Sequence, residues 1–182
     1  MTKIKLQIKS RWTGSVLFEY EKKDNTIKDT LIEAVKSDAY LSGAYLRGAD
    51  LRGADLSDAY LRDADLSDAK EIPYFPLFCP SDGAFIGWKK VNGKLVKLQI
   101  PEDAHRCSAT SRKCRCDKAL VLSITDKDGE NPISEIENCT REPHTLYKVG
   151  EIVLPDSFDE DRWNECSHGI HFFINKQDAI NY

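Results

Sequence analysis

The sequence predicts a mainly β chain with some α structure: an N-terminal hairpin and helix, a run of five-residue repeats, and a compact mixed β-rich (α+β) domain. Three observations carry this prediction. Alanine and leucine recur with a period of five from residue 39 to residue 68. Ahead of them, two segments alternate apolar and polar side chains, and beyond residue 84 short alternating runs are punctuated by turn residues such as Asn92-Gly93.

At the start, Ile4, Leu6 and Ile8 alternate with Lys5, Gln7 and Lys9, which puts the apolar side chains on one face of an extended strand. Thr13-Gly14 then interrupts the pattern, and Val16, Phe18 and Tyr20 repeat it, so the two segments predict a β-hairpin. Asn25 or Thr26 is placed to cap a short helix whose Ile27, Leu31, Ala34 and Val35 recur at helical spacing. This hairpin-helix unit, residues 1–36, is expected to cap the repeats, because a stacked repeat leaves its apolar interior open at each end.

The repeats occupy residues 37–71 and read AYLSG, AYLRG, ADLRG, ADLSD, AYLRD and ADLSD from Ala39. Leucine falls at 41, 46, 51, 56, 61 and 66. A period of five gathers these leucines on neither a helix face nor a strand face, so the chain must turn between repeats. With one pentapeptide per side of a square coil, leucine and the alanine two residues before it both point inward, and alanine is small enough for the crowded corner. Residues twenty apart then stack, which puts Tyr60 over Tyr40, Arg62 beside Ser42 and Asp65 near Tyr45 as surface ladders.

Residues 72–83 carry the proline-rich phrase PYFPLFCPSDG and predict a linker or entry loop. A β-rich domain follows over 84–182. AFIGWKKV and KLVKLQI form a hairpin around Asn92-Gly93, KALVLSI is a strand, LYKVGEIVL gives two short strands or a hairpin, and GIHFFI is a buried strand. Residues 176–182 predict a last helical turn, and the acidic stretch near 126–142 predicts a mobile loop.

The repeats resemble the pentapeptide-repeat family. That resemblance implies a right-handed quadrilateral β-helix with four repeats per coil, hence about one and a half coils here. Such a length is too short to imitate DNA as long members of that family do. The whole arrangement is similar to phage and prophage proteins in which a hairpin-helix start and pentapeptide repeats precede an uncharacterised C-terminal domain. The phrases GAFIGWKKV, SATSRKCRCDKALVLSI and RWNECSHGIHFFINKQDAINY carry this second likeness. It implies a cytoplasmic protein of an infected or lysogenic bacterial host.

Composition excludes several classes. The chain has 182 residues, of which 41% are hydrophobic and 31% charged, with a formal net charge of -4. That balance gives no electrostatic case for duplex DNA or an anionic membrane. No apolar stretch has the length of a membrane span or the continuity of a signal peptide, so the reading is a protein that is soluble and not exported. The six cysteines, Cys79, Cys107, Cys114, Cys116, Cys139 and Cys166, are read as reduced thiols and not as a disulfide framework.

Three constellations are candidates for chemistry. His105–Lys118 holds Arg106, Arg112, Lys113, Arg115 and Lys118 with Ser108, Thr110 and Ser111 between them. Guanidinium forks, hydroxyls and loop amides are what a phosphate-bearing ligand requires. The alternative is a solvated loop paired with the acids of Asp156–Asp161. Cys114-x-Cys116 and Cys166-x-His168 offer a tetrahedral metal set or, equally, buried small side chains. Around Arg162, Trp163, Glu165, Cys166 and His171, Trp163 either stacks on a base or anchors the domain, and Cys166 or Glu165 would be the nucleophile or base of any catalysis.

The leading functional expectation is a non-enzymatic binding protein, with no cofactor, that captures a small phosphorylated or nucleotide ligand, such as a host defence signal. Its residues would be Arg106, Ser108, Thr110, Arg112, Lys113, Arg115, Arg162, Trp163 and His171. The second is a protein-interaction module that meets a host protein through Tyr40, Tyr45 and Tyr60, with a homodimer as a further expectation. The third is a nucleotide or ADP-ribose enzyme using Glu165 or His171.

Overall fold

The structure is a computed structural model that describes residues 2–56, 59–139 and 144–182. It is mainly β, with an N-terminal hairpin and helix and a β-rich domain. The chain divides into two compact units: residues 1–76 with 161–166, and residues 77–160 with 167–182. No helix among the described residues is long and apolar enough to cross a membrane.

The first unit opens with β1 (Lys3–Lys9) and β2 (Val16–Lys23), paired antiparallel so that Phe18 lies opposite Ile8 and Tyr20 opposite Leu6. Helix α1 (Ile27–Lys36) starts at Thr26, which settles the choice of cap. The Thr26 side chain accepts from the Asp29 backbone N–H while the Asp29 carboxylate accepts from Thr26, a reciprocal box that satisfies two donors the first helical turn leaves open. Leu31 and Ala34 of α1 and Ile8 of β1 are buried in the same core as the repeat leucines.

All six repeat leucines are at most 2% exposed. Burial of a leucine stabilises by about 1.5–3 kcal/mol, and these six share one core with Ile8, Leu31 and the repeat alanines. Parallel bridges join Tyr40 to Tyr60, Tyr45 to Asp65 and Asp50 to Lys70, each pair twenty residues apart. The Ser42 hydroxyl donates to the Arg62 carbonyl at 3.0 Å. The fifth position of the repeat carries positive φ wherever it is described: Gly43, Gly48, Gly53, Asp63 and Asp68 lie between 58° and 70°. Side chains other than glycine pay to enter that region, aspartate and asparagine least, which explains why glycine and aspartate share this position. The fourth repeat's corner, Ser57 and Asp58, lies outside the described residues.

The second unit holds a seven-stranded antiparallel sheet. Its strands are β3 (Phe85–Val91), β4 (Lys94–Ile100), β5 (Arg106–Ser108), β6 (Lys113–Cys116), β7 (Ala119–Thr125), β10 (Ile152–Val153) and β11 (Ile170–Phe173). Their order is β10-β7-β4-β3-β11-β6-β5. Asn92 and Gly93, with φ of 46° and 82°, close the β3–β4 hairpin as a two-residue turn of the I′ kind requires. A separate hairpin pairs β8 (Glu135–Asn138) with β9 (Thr145–Lys148), and α2 (Lys176–Asn181) follows β11. The two strands expected within LYKVGEIVL therefore belong to different sheets.

Two expectations need correction here. The stretch near 126–142 is not wholly loop, because Glu135–Asn138 is strand β8, whose Ile136 packs on the core; residues 140–142 of that stretch lie outside the described residues. The basic segment His105–Lys118 is likewise not a plain loop. It contributes β5 and β6, and all four residues of β6, Lys113–Cys116, are buried between neighbouring strands.

Gly87, buried on β3, gives a direct test of the packing. A Cβ there would stand 2.7 Å from Cδ2 of Phe172, whose ring is fully buried. Strand propensity favours alanine over glycine by about 0.5–1 kcal/mol. The overlap works against it at about 1–3 kcal/mol and should win. Gly87→Ala is therefore expected to lower the urea midpoint, and a raised midpoint would show that the Phe172 ring yields.

Candidate functional site

The predicted ligand residues separate between the two units. Arg162 and Trp163 lie in the first, and Arg106, Ser108, Thr110, Arg112, Lys113, Arg115 and His171 in the second.

In the first unit the segment 161–166 is fastened to the repeats. The Trp163 carbonyl accepts from the Leu66 N–H at 3.2 Å, and Asn164 bridges Asp65. The Trp163 ring packs against the leucine core and meets Phe75 edge-on at 5.8 Å. Arg162 donates to the Phe75 carbonyl and lies over the Trp163 ring at 4.6 Å. Glu165, only 2% exposed, accepts the Asp63 N–H at 2.9 Å, and the Cys166 thiol donates to the Asp63 carboxylate. These contacts let Trp163 cover apolar repeat surface, with Glu165 and Cys166 occupied in holding the segment.

The same unit exposes aromatic rings. Tyr40, Tyr45 and Tyr60 are 68%, 53% and 57% exposed, and the Tyr40 and Tyr60 ring centroids are 6.3 Å apart. The parallel bridge beneath them fixes their backbones in register.

In the second unit the basic residues are largely turned inward. Arg106 donates through Nε to the Ala104 carbonyl at 3.0 Å, through Nη1 to Gly83 at 2.7 Å, and through Nη2 to Pro101 at 2.9 Å and to Glu102. The Ser108 hydroxyl accepts the Phe78 N–H at 2.8 Å. Lys113 and Arg115 are buried, with Arg115 donating to the His168 carbonyl at 3.2 Å. Arg112 is exposed and faces the Asp178 carboxylate at 3.4 Å, and Thr110 is half-buried.

His171 lies opposite Arg115 in the sheet, with Nε2 at 2.8 Å from the Ser167 carbonyl. A carbonyl only accepts, so Nε2 carries the proton of the neutral ring. Burial, reinforced by Lys113, Lys89 and Arg115, pushes the His171 pKa down to about 3. By contrast, His168 is exposed, its Nδ1 2.7 Å from the Asp156 carboxylate. An open surface groove is lined by Glu102, Asp103, His105, Arg106, Phe158 and Glu160; three acids outnumber its one guanidinium, whose donors are engaged by carbonyls, which makes it a poor seat for a phosphate.

The thiols form a buried group. Cys79, Cys107, Cys114 and Cys116 are each at most 7% exposed and all are reduced. The Cys114 thiol beside Cys79 stabilises a Cys79 thiolate and brings its pKa down to about 7, while Cys114 itself is pushed up as the partner that keeps its proton. Burial raises Cys116. The metal pairs suggested by spacing, Cys114 with Cys116 and Cys166 with His168, are not gathered into one cluster among the described residues. A different set is: Glu137, Cys139 and His144, whose ligand atoms all lie within 4.8 Å of one another. Glu137 and Cys139 are two apart on an extended chain and so share a face, a signal hidden while the stretch is read as loop.

A repeat segment with paired surface tyrosines, followed by an antiparallel β domain with an apolar core and two buried basic side chains, Lys113 and Arg115, defines the class of chain. Residues 37–70 match pentapeptide repeats. Residues 75–179 match a family of unknown function, DUF5758, and the chain belongs to that family. Neither the comparison with curated proteins nor that with solved structures finds a match.

Proposed function

We propose that the protein is a non-enzymatic interaction module that binds another protein through the tyrosine face of its repeat segment, and that this segment is a short right-handed four-sided β-helix. The observation behind the proposal is the Tyr40–Tyr60 pair, two rings more than half exposed on backbones locked by one bridge. Tyrosine offers a large apolar face, a hydroxyl and few rotatable bonds, so it concentrates binding energy at protein interfaces. Rings already held in place lose little further freedom on docking. Leucines buried in the same segment supply the rigid support.

The test is affinity capture from a bacterial lysate with the full chain, with Tyr40→Ala/Tyr60→Ala, and with Arg112→Ala. A stoichiometric partner retained by the wild type and the Arg112 variant, and lost by the tyrosine variant, is the expected result. Capture that survives loss of both tyrosines, or fails with Arg112→Ala alone, overturns the proposal. The side chains changed are exposed, so each variant should keep the wild-type circular dichroism.

A second reading, capture of a small phosphorylated or nucleotide ligand, draws on the basic side chains near His171: Arg115 lies opposite it in the sheet and Lys89 donates to its carbonyl at 3.2 Å. Against it stand the Arg106 fork occupied by carbonyls and the burial of Lys113 and Arg115. Calorimetry with mono-, di- and cyclic nucleotides separates the two readings, and the interaction proposal expects no heat of binding.

A further inference from the structure

Hairpin β8–β9 carries, at one end, three side chains of different metal-ligating chemistry. Glu137 lies on β8, Cys139 follows that strand by one residue, and His144 immediately precedes β9. Antiparallel pairing of Asn138 with Thr145 brings the two flanks together. The Cys139 thiol is 3.5 Å from Glu137 Oε2, and His144 Nδ1 is 3.6 Å from Glu137 Oε1. All three residues are exposed, and a ligand atom from each falls within 4.8 Å of the others.

From this geometry we propose that Glu137, Cys139 and His144 form a binding site for a zinc-class divalent cation, a function separate from the tyrosine face. Tetrahedral zinc bonds are about 2.3 Å to sulfur and about 2.0–2.2 Å to nitrogen or carboxylate oxygen, which places neighbouring ligand atoms about 3.4–3.6 Å apart. The separations of Cys139 and His144 from the two Glu137 oxygens, 3.5 and 3.6 Å, are close to that spacing, and one ligand atom from each residue lies within 4.8 Å of the others. The donor set, a thiolate, an imidazole and a carboxylate, suits zinc and cobalt(II), whereas calcium and magnesium prefer oxygen donors throughout. Three protein ligands leave the fourth tetrahedral position for water or an added donor, as in zinc sites that stay open. The β8–β9 ladder holds Glu137 directly and ends at the Asn138–Thr145 pair, whose two residues are the chain neighbours of Cys139 and His144. Binding deprotonates the Cys139 thiol and releases that proton to solvent.

The experiment titrates cobalt(II) and then zinc(II) into the reduced, metal-stripped full chain. Cobalt(II) bound by a thiolate should show a sulfur-to-metal charge-transfer band, which zinc then abolishes. Cys139→Ser is expected to remove the band, and His144→Ala to weaken zinc binding by roughly 100-fold through loss of one of three ligands. Cys166→Ser, altered outside the hairpin, should keep both band and affinity. A band that persists in Cys139→Ser, an unchanged affinity in His144→Ala, or no zinc binding by the wild type overturns the assignment. All three ligands are exposed, so equal thermal unfolding of the metal-free variants is expected and separates lost ligation from lost folding.

Discussion

Replacing Arg106 with lysine is expected to destabilise the second unit by about 3 kcal/mol, although charge is conserved. The guanidinium spreads its donors in one plane, and here Nε, Nη1 and Nη2 together satisfy the carbonyls of Ala104, Gly83, Pro101 and Glu102. It also sits 5.2 Å from the centre of the Phe85 ring. An ammonium has three donors in a cone and no flat face, so it reaches one or two of those carbonyls and leaves the rest to whatever water can enter. Each lost charge-assisted hydrogen bond costs about 1.5–3 kcal/mol; partial exposure of the residue holds the total to the lower part of the possible range. Urea denaturation followed by circular dichroism and by Trp88, the one tryptophan of the second unit, measures the loss. Arg112→Lys is the control. Arg112 is 70% exposed with a single carboxylate partner, so its replacement should stay within about 0.5 kcal/mol. Equal losses at both positions would mean that the carbonyl cage around Arg106 contributes nothing.

Arg106 also shows where sequence reading stops. A run of arginines looks the same whether its forks face solvent or tie loops together, because the carbonyls that occupy Arg106 come from residues 83, 101, 102 and 104, brought near by the sheet. The strand order has the same cause. The β3–β4 hairpin was legible because Asn92-Gly93 is a local signal, but nothing local in GIHFFI says that β11 inserts between β3 and β6, pairing Phe173 with Trp88 and Phe172 with Cys114. The segment Arg162–Cys166 suggested chemistry by composition alone, whereas Trp163 packs on leucines and Glu165 accepts a backbone N–H. The repeats were the opposite case. Their period fits neither helix nor strand, and each leucine reports the same burial, so a one-dimensional pattern was enough to place them in a core. What that pattern left unexplained was the fifth residue, where glycine and aspartate supply the positive φ.

The pH dependence of stability should carry the signature of His171. Its pKa falls from 6.5 to about 3 chiefly because partial burial disfavours the charged ring, with charge repulsion from Lys113, Lys89 and Arg115 added, and the Ser167 carbonyl offsets this only in part. A depressed value means that the folded state refuses a proton which the unfolded chain accepts. The contribution is therefore fully present above about pH 6.5 and is lost as pH falls towards 3, where it levels off. The whole window corresponds to on the order of 5 kcal/mol, at a slope of at most about 1.4 kcal/mol per pH unit. His171→Gln removes the titration while keeping an N–H for the Ser167 carbonyl. At pH 7 the variant should be somewhat less stable than the wild type from imperfect packing. By pH 4 the wild type should have lost about 3 kcal/mol relative to it, closing or reversing the gap. Urea midpoints of the two proteins across that range decide the matter, since carboxylates that titrate in both cancel in the difference. Parallel curves would mean that His171 takes up its proton in the fold as readily as in the unfolded chain, and that the cations around it do not repel it.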